Sequence, residues 1–135
     1  FINDVGGSLC ELDEPGLLDF LSEHSLILYI RASEDDETSL IKRSLSHPKP
    51  LYYREAFLDE LLSEYMALKG VEYVSLIEPN DFTRCVFPKL FRARIPRYEA
   101  IAAEYGYTVT THELAKVKSE ADFTSLLEKV IERES

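Results

Sequence analysis

Three places in the sequence bring together side chains suited to phosphoryl chemistry. Near the start, an apolar stretch runs into a carboxylate and two glycines, Phe1-Ile2-Asn3-Asp4-Val5-Gly6-Gly7. A carboxylate at the end of an apolar strand can orient Mg2+ or one of its waters. It can equally cap a turn through the neighbouring backbone. Gly6 and Gly7 would let a ligand approach the main chain closely, or simply make a tight turn. Lys49 and Arg54 flank a proline-rich segment. There they could neutralise developing phosphate charge, or serve as ordinary surface cations. Arg92, Arg94 and Arg97 form the dense basic cluster of an acidic chain. A guanidinium fork binds carboxylate or phosphate through two parallel hydrogen bonds. The alternative is a set of surface ion pairs, worth about 0–1 kcal/mol each.

Other chemistries find little support. His24, His47 and His112 share no ligand spacing, and no Ser-His-Asp or Cys-His order stands out; they read as surface or helix-end histidines. Cys10 and Cys85 are isolated, which disfavours structural zinc and suits two buried reduced thiols. Reduced thiols fit a reducing compartment, so the expected location is cytoplasmic. The formal net charge of −10 repels phosphate backbones and argues against nucleic acid as a partner. No apolar run approaches the roughly 18 residues of a membrane span. With 135 residues the chain suffices for one domain with a core. Its first residue, Phe1, already lies in an apolar stretch, so the chain reads as a fragment, a processed product or a trimmed chain.

The elements that must position these residues follow from periodicity. Phe1 to Val5 reads as a strand closed by Gly6-Gly7. Pro15 to Glu23 reads as a helix with Leu17, Leu18 and Leu21 in register and Pro15 in its first turn. Ser25 to Arg31, apolar on both faces, predicts a buried parallel strand. The acidic run Ser33 to Glu37 starts a helix that Pro48 and Pro50 end, with Arg43 complementing its C-terminus. Arg54 to Lys69 is the clearest amphipathic helix, its stripe being Phe57, Leu58, Leu61, Leu62 and Tyr65, with Gly70 as the stop. Val71 to Ile77 is ambiguous between strand and loop. Pro79-Asn80-Asp81 opens a helix that Pro88 should kink, and Pro96 opens or kinks another running to Tyr105, capped by Gly106. Tyr107 to Thr111 is β-branched and strand-like. Ser119 to Glu134 closes the chain as an amphipathic helix. Strands alternating with helices predict an α/β fold, a parallel sheet with flanking helices. Three strands are few beside a mean of about 5–6.

These segments together resemble the second half of a P-loop kinase of the shikimate kinase type. The resemblance rests on the strand into Gly-Gly-Ser, on Lys49-Pro50-Leu51 beside the family's Arg-Pro-Leu lid, and on Arg94-Ile95-Pro96-Arg97-Tyr98 beside its Arg-x-Pro-x-Tyr segment. The chain is also similar to the C-terminal region of a group of uncharacterised bacterial proteins described as ATPases. It departs from the kinase pattern in three ways. Val5-Gly6-Gly7 stands where that family has three glycines, Lys49 replaces the lid arginine, and residues 54–88 are longer than the pattern needs. No Gly-x-x-x-x-Gly-Lys-Ser/Thr loop occurs.

The resemblance implies the C-terminal portion of a three-layer α/β/α P-loop domain, with a lid and helical insertion at about 42–95. It implies ATP and Mg2+ in the full-length parent, together with a small-molecule acceptor. Asp4 and Lys49 would be catalytic, with Asp4 also the metal residue. Gly6, Gly7 and Arg94 would bind substrate, Arg94 taking its carboxylate or phosphate, and Lys49 and Arg54 would meet the nucleotide. The family's first strand would lie between the first two strands of this chain, leaving a gap in the sheet. The competing reading is a non-catalytic α/β binding or regulatory domain that uses the Arg54–Lys69 helix for a protein partner. Self-association into a homo-oligomer stays open.

Without a backbone cradle and its lysine, ATP loses its main phosphate contacts. Calorimetric titration of this chain with ATP and Mg2+ is expected to show no binding tighter than about 1 mM. Sub-millimolar affinity would overturn the reading.

Overall fold

A computed structural model describes residues Phe1–Ser135. In chain order its elements are α1 (Leu17–His24), β1 (Ile27–Arg31), α2 (Glu34–Ser46), α3 (Glu55–Lys69), α4 (Pro79–Tyr105), β2 (Gly106–Thr110), α5 (Thr111–Ala115) and α6 (Glu120–Glu134), with short 3-10 turns at Leu9–Glu11 and Val74–Leu76. The chain is mostly helical, with a two-stranded parallel sheet in which Ile27 faces Gly106 and Arg31 faces Thr110. This arrangement is consistent with an α/β fold. No helix is long and apolar enough to cross a membrane.

The chain divides into two units, one made of Phe1–Leu12 with Thr38–Arg94, the other of Asp13–Glu37 with Ile95–Ser135. Charge divides with them. The first unit carries nine acidic and nine basic residues and is neutral; the second carries sixteen acidic against six basic and holds the whole net −10.

The first unit is built on the α3 stripe. Leu61 and Tyr65 are buried against Phe82 and Val86 of α4, with Tyr53, Phe57, Leu58, Leu62, Ile77 and Cys85 packed around them. Gly70 ends α3 in the left-handed region at φ 67°, and its N–H bonds the Met66 carbonyl. The 27-residue α4 runs unbroken through Pro88 and Pro96. An interior proline costs about 3 kcal/mol. Phe82, Val86 and Leu90, one stripe at spacing four, are all buried, and each such side chain contributes about 1.5–3 kcal/mol. Packing therefore outweighs the local penalty. Tyr65 donates its hydroxyl to Asp81, which also pairs with Lys69 Nζ at 3.3 Å.

In the second unit, Val109, Ala102 and Val130 are fully buried, and Tyr29 of β1 stacks on Tyr98 at 5.4 Å. Thr110 and Glu113 form a capping box that starts α5, and Ser119 caps α6. Asp36 accepts from Ser33 N–H, Ser33 Oγ and Thr111 Oγ1, closing the N-terminus of α2. These bonds, Thr111's first, hold the Asp36 carboxyl below its usual range.

Four sequence expectations change. Phe1 to Val5 forms no strand: a strand exists through its pairing, the sheet is β1 with β2 alone, and Phe1, Ile2 and Val5 are exposed. The strand at 25–31 is parallel but only partly buried. Gly106 does not cap α4; it opens β2, where a Cβ would stand 2.3 Å from the Ile27 carbonyl oxygen. Thr111 begins α5 instead of ending the strand, and Val71 to Ile77 contains a 3-10 turn.

Two predictions follow from these contacts. Gly106→Ala should lower stability by about 2 kcal/mol in urea unfolding, because main chain at Ile27 must move; an unchanged midpoint would contradict the register. The Tyr65 phenol is pushed up to about 12, first by its hydrogen bond to Asp81 and then by burial. Because its folded value lies above its unfolded one, this stabilisation is complete below pH 10 and is lost as pH rises toward 12. Asp81 is lowered by the same bond, so its share is present above the ordinary carboxylate pKa and fades as pH falls through the lowered value. Ultraviolet titration of Tyr65→Phe should lack the highest phenolate step.

Candidate functional site

The predicted site residues fall into three separate environments, all within the first unit. The first is the glycine turn. Asp4 Oδ1 accepts the Gly6 N–H at 2.8 Å, and Gly6 sits at φ 58°. This is a carboxylate closing a turn on the next residue but one. No group of three or more His, Cys, Asp or Glu side chains converges in a way that could hold a metal ion. With Asp4 engaged by its own turn and in no such group, these residues do not fit a Mg2+ site by themselves.

The second environment is ionic. The 3-10 turn Leu9–Glu11 follows the glycine turn, and the Cys10 thiol donates to the Gly7 carbonyl at 3.3 Å. It buries the side chain of Glu11, which is 3% exposed. Arg94 Nε reaches Glu11 Oε1 at 2.9 Å, and Arg54 Nε lies 3.2 Å from Oε2. The guanidinium ends are also engaged: Arg94 donates to the Tyr52 carbonyl at 2.7 Å and Arg54 to the Cys10 carbonyl at 3.0 Å. Each carboxylate oxygen thus faces one arginine. Burial pushes the nearby Tyr53 phenol up, against the opposing charge of Arg94. Arg94 and Arg54, expected to meet substrate and nucleotide, are here joined by a carboxylate of the chain itself. Sequence reasoning missed Glu11; its one local signal is a lone acid between Cys10 and Leu12.

The third environment is a cavity of about 660 Å³ at the end of α2 and the segment after it. Arg43, His47 and Lys49 line it together with the hydroxyl residues Ser44 and Thr83, and Leu40, Leu51, Pro50 and Phe87 supply apolar wall. No carboxylate lines it, although the chain carries 25 acidic residues. The C-terminal end of a helix carries negative partial charge. Here Arg84 Nε donates to the Leu45 carbonyl at 3.0 Å and Ser46 Oγ to the Lys42 carbonyl, satisfying part of that end. Of the predicted residues only Lys49 lines the cavity; Asp4, Gly6, Gly7, Arg54 and Arg94 do not. Arg43 and His47, read from sequence as a helix-end cation and a surface histidine, join it. Their spacing of four on α2 and its extension, just before Lys49, is the signal that could have found them.

No family model matches the chain, and neither a curated protein nor a solved structure matches it.

The ionic cluster yields a prediction. Removing one partner from a buried pair leaves uncompensated charge, at a cost of about 3–5 kcal/mol. Glu11→Gln is therefore expected to destabilise the fold by about 3 kcal/mol in denaturant unfolding, whereas Asp4→Asn, at an exposed turn, should change it by less than about 1 kcal/mol. Equal effects would contradict the structural role given to Glu11.

Proposed function

We propose that this chain forms the acceptor side of an ATP-dependent small-molecule kinase or ATPase of the P-loop class, and that its cavity takes the phosphorylated end of the ligand. The observation that carries this reading is the convergence of Arg43, His47 and Lys49 on one carboxylate-free cavity in a chain of net charge −10. Arg43 offers a planar fork suited to two phosphoryl oxygens. Lys49 is a compact charge on a flexible stem that can follow the group as it moves. His47 adds a ring nitrogen donor, and the Thr83 hydroxyl can meet a further oxygen. Ser44 Oγ donates its one proton to the Ile41 carbonyl at 2.7 Å, so it offers a phosphoryl oxygen no donor. The apolar wall at Leu51 and Phe87 suits a carbon skeleton. The resemblance of Lys49-Pro50-Leu51 to a kinase lid supports the same assignment. The nucleotide cradle is not in this sequence, so the reading gives this chain acceptor recognition and leaves ATP and Mg2+ to a glycine-rich loop elsewhere.

A specific observation favours the second reading, a non-catalytic binding domain. Asp4, Arg54 and Arg94 are each engaged by the chain's own groups, as in a structural cluster.

Phenyl phosphate, which joins a phosphomonoester to an apolar ring, is the probe that separates them. In nuclear magnetic resonance titrations it is expected to bind saturably with a Kd of about 1–5 mM, shifting amides around residues 43–51. Lys49→Ala or Arg43→Ala should weaken it about tenfold, a loss of about 1.4 kcal/mol. Absence of saturable shifts, or shifts unchanged in both variants, would rule out the pocket.

A further inference from the structure

The two edges of the small sheet are treated differently by the chain. In a parallel ladder, a residue that turns its N–H and C=O toward the partner strand faces one that turns them away. On β2, Thr108 turns outward: its N–H donates to the Glu134 carboxylate at 3.3 Å, and its carbonyl accepts from Arg133 at 2.8 Å. The Thr110 N–H likewise donates to Glu113 at 2.8 Å. Arg133 also pairs with Glu113 at 2.9 Å, locking the set together. The outer edge of β2 is therefore closed by side chains that imitate a neighbouring strand.

The register fixes the other edge. Tyr29 faces Thr108 and Arg31 faces Thr110, so Tyr29 and Arg31 turn inward. Leu28 and Ile30 then present their N–H and C=O groups to the outside of β1. No side chain covers them as Glu113, Arg133 and Glu134 cover β2. Ile30 is 50% exposed and Leu26, just before the strand, 46%. An open edge flanked by exposed apolar residues is a template for strand addition.

Charge selects the occupant. The unit that holds this edge carries sixteen acidic and six basic residues. Near the strand, Glu99 lies 3.6 Å from Arg31, and Glu99 and Glu37 add to burial in pushing the Tyr29 phenol up. A second copy would bring another −10 against this field. We propose that the outer edge of β1 takes an extended, Lys- or Arg-bearing segment of a partner protein as a third strand. Main-chain hydrogen bonds at Leu28 and Ile30 would set its register, an apolar residue would rest on Ile30, and its cations would meet the acidic surface. This site lies in the other unit from the cavity. It rests on the binding-domain reading, because in the P-loop resemblance the family's first strand would take this same edge of β1.

A fluorescent peptide of about eight alternating Lys and Val residues tests it, alongside the same peptide N-methylated at every second residue. Methylation keeps the charge and removes the ladder donors. Titration at low salt should show the unmethylated peptide binding at least about tenfold more tightly, with amide shifts centred on residues 26–31. Ile30→Pro removes an outward N–H from an edge strand, where proline is tolerated. With its circular dichroism unchanged, this variant should lose that preference. Equal affinity of the two peptides, or no binding, would overturn the proposal. So would shifts away from β1, or a concentration-dependent dimer of the chain that pairs through β1.

Discussion

The first unit depends on one buried carboxylate. Glu11 lies between two guanidiniums, one oxygen to each, and belongs to a segment that would otherwise have little to hold it. Residues before it, Phe1, Ile2 and Val5, are exposed, and Cys10 is the segment's one buried apolar residue. The pair of arginines adds the ionic hold. Arg54 stands at the N-cap position of α3 and Arg94 lies within α4, so one side chain ties three parts of the chain. Desolvating an ion costs several kcal/mol. That cost is offset in part because one further donor of each arginine reaches a backbone carbonyl, Arg94 at Tyr52 and Arg54 at Cys10.

This constraint decides which cations are available for a ligand. Arg54 and Arg94 serve the fold, and Asp4 serves a turn. The groups left facing a cavity are Arg43, His47 and Lys49. Their setting is a unit with equal numbers of acidic and basic residues, while the rest of the chain carries the whole negative excess. Under the proposed readings, a phosphorylated ligand would meet the neutral unit and a basic partner the acidic one.

Much of the local structure was legible in the sequence because it rests on short-range periodicity. The α3 stripe, the stop at Gly70, the acidic start of α2 and the β-branched run of β2 all follow from neighbours within four residues. What was not legible depends on distant pairing. Phe1 to Val5 has a strand's composition but no strand beside it. Pro88 reads as a kink and Pro96 as the opening or kink of a further helix, yet one helix runs through both, with Phe82, Val86 and Leu90 buried along it. Gly106 looks like a cap until Ile27 is placed against it. Arg94 reads as a guanidinium fork for a substrate carboxylate or phosphate, and in the structure a carboxylate of the chain itself meets it. Its partner, Glu11, lies 83 positions away, beyond any spacing rule, and the resemblance pointed to a substrate in its place. Lys49 was chosen for its proline-flanked setting; Arg43 and His47 became its companions only once the end of α2 was set beside Thr83 and Phe87.

The central claim is that the anion site is the Arg43–His47–Lys49 cavity and that Arg94 is occupied by Glu11. Crystals of the chain soaked in tungstate, a heavy phosphate analogue, test it directly through anomalous scattering. The account predicts a peak within hydrogen-bond reach of Lys49 and Arg43, with the Glu11 pairings intact. A peak at Arg94 with Glu11 displaced would contradict it.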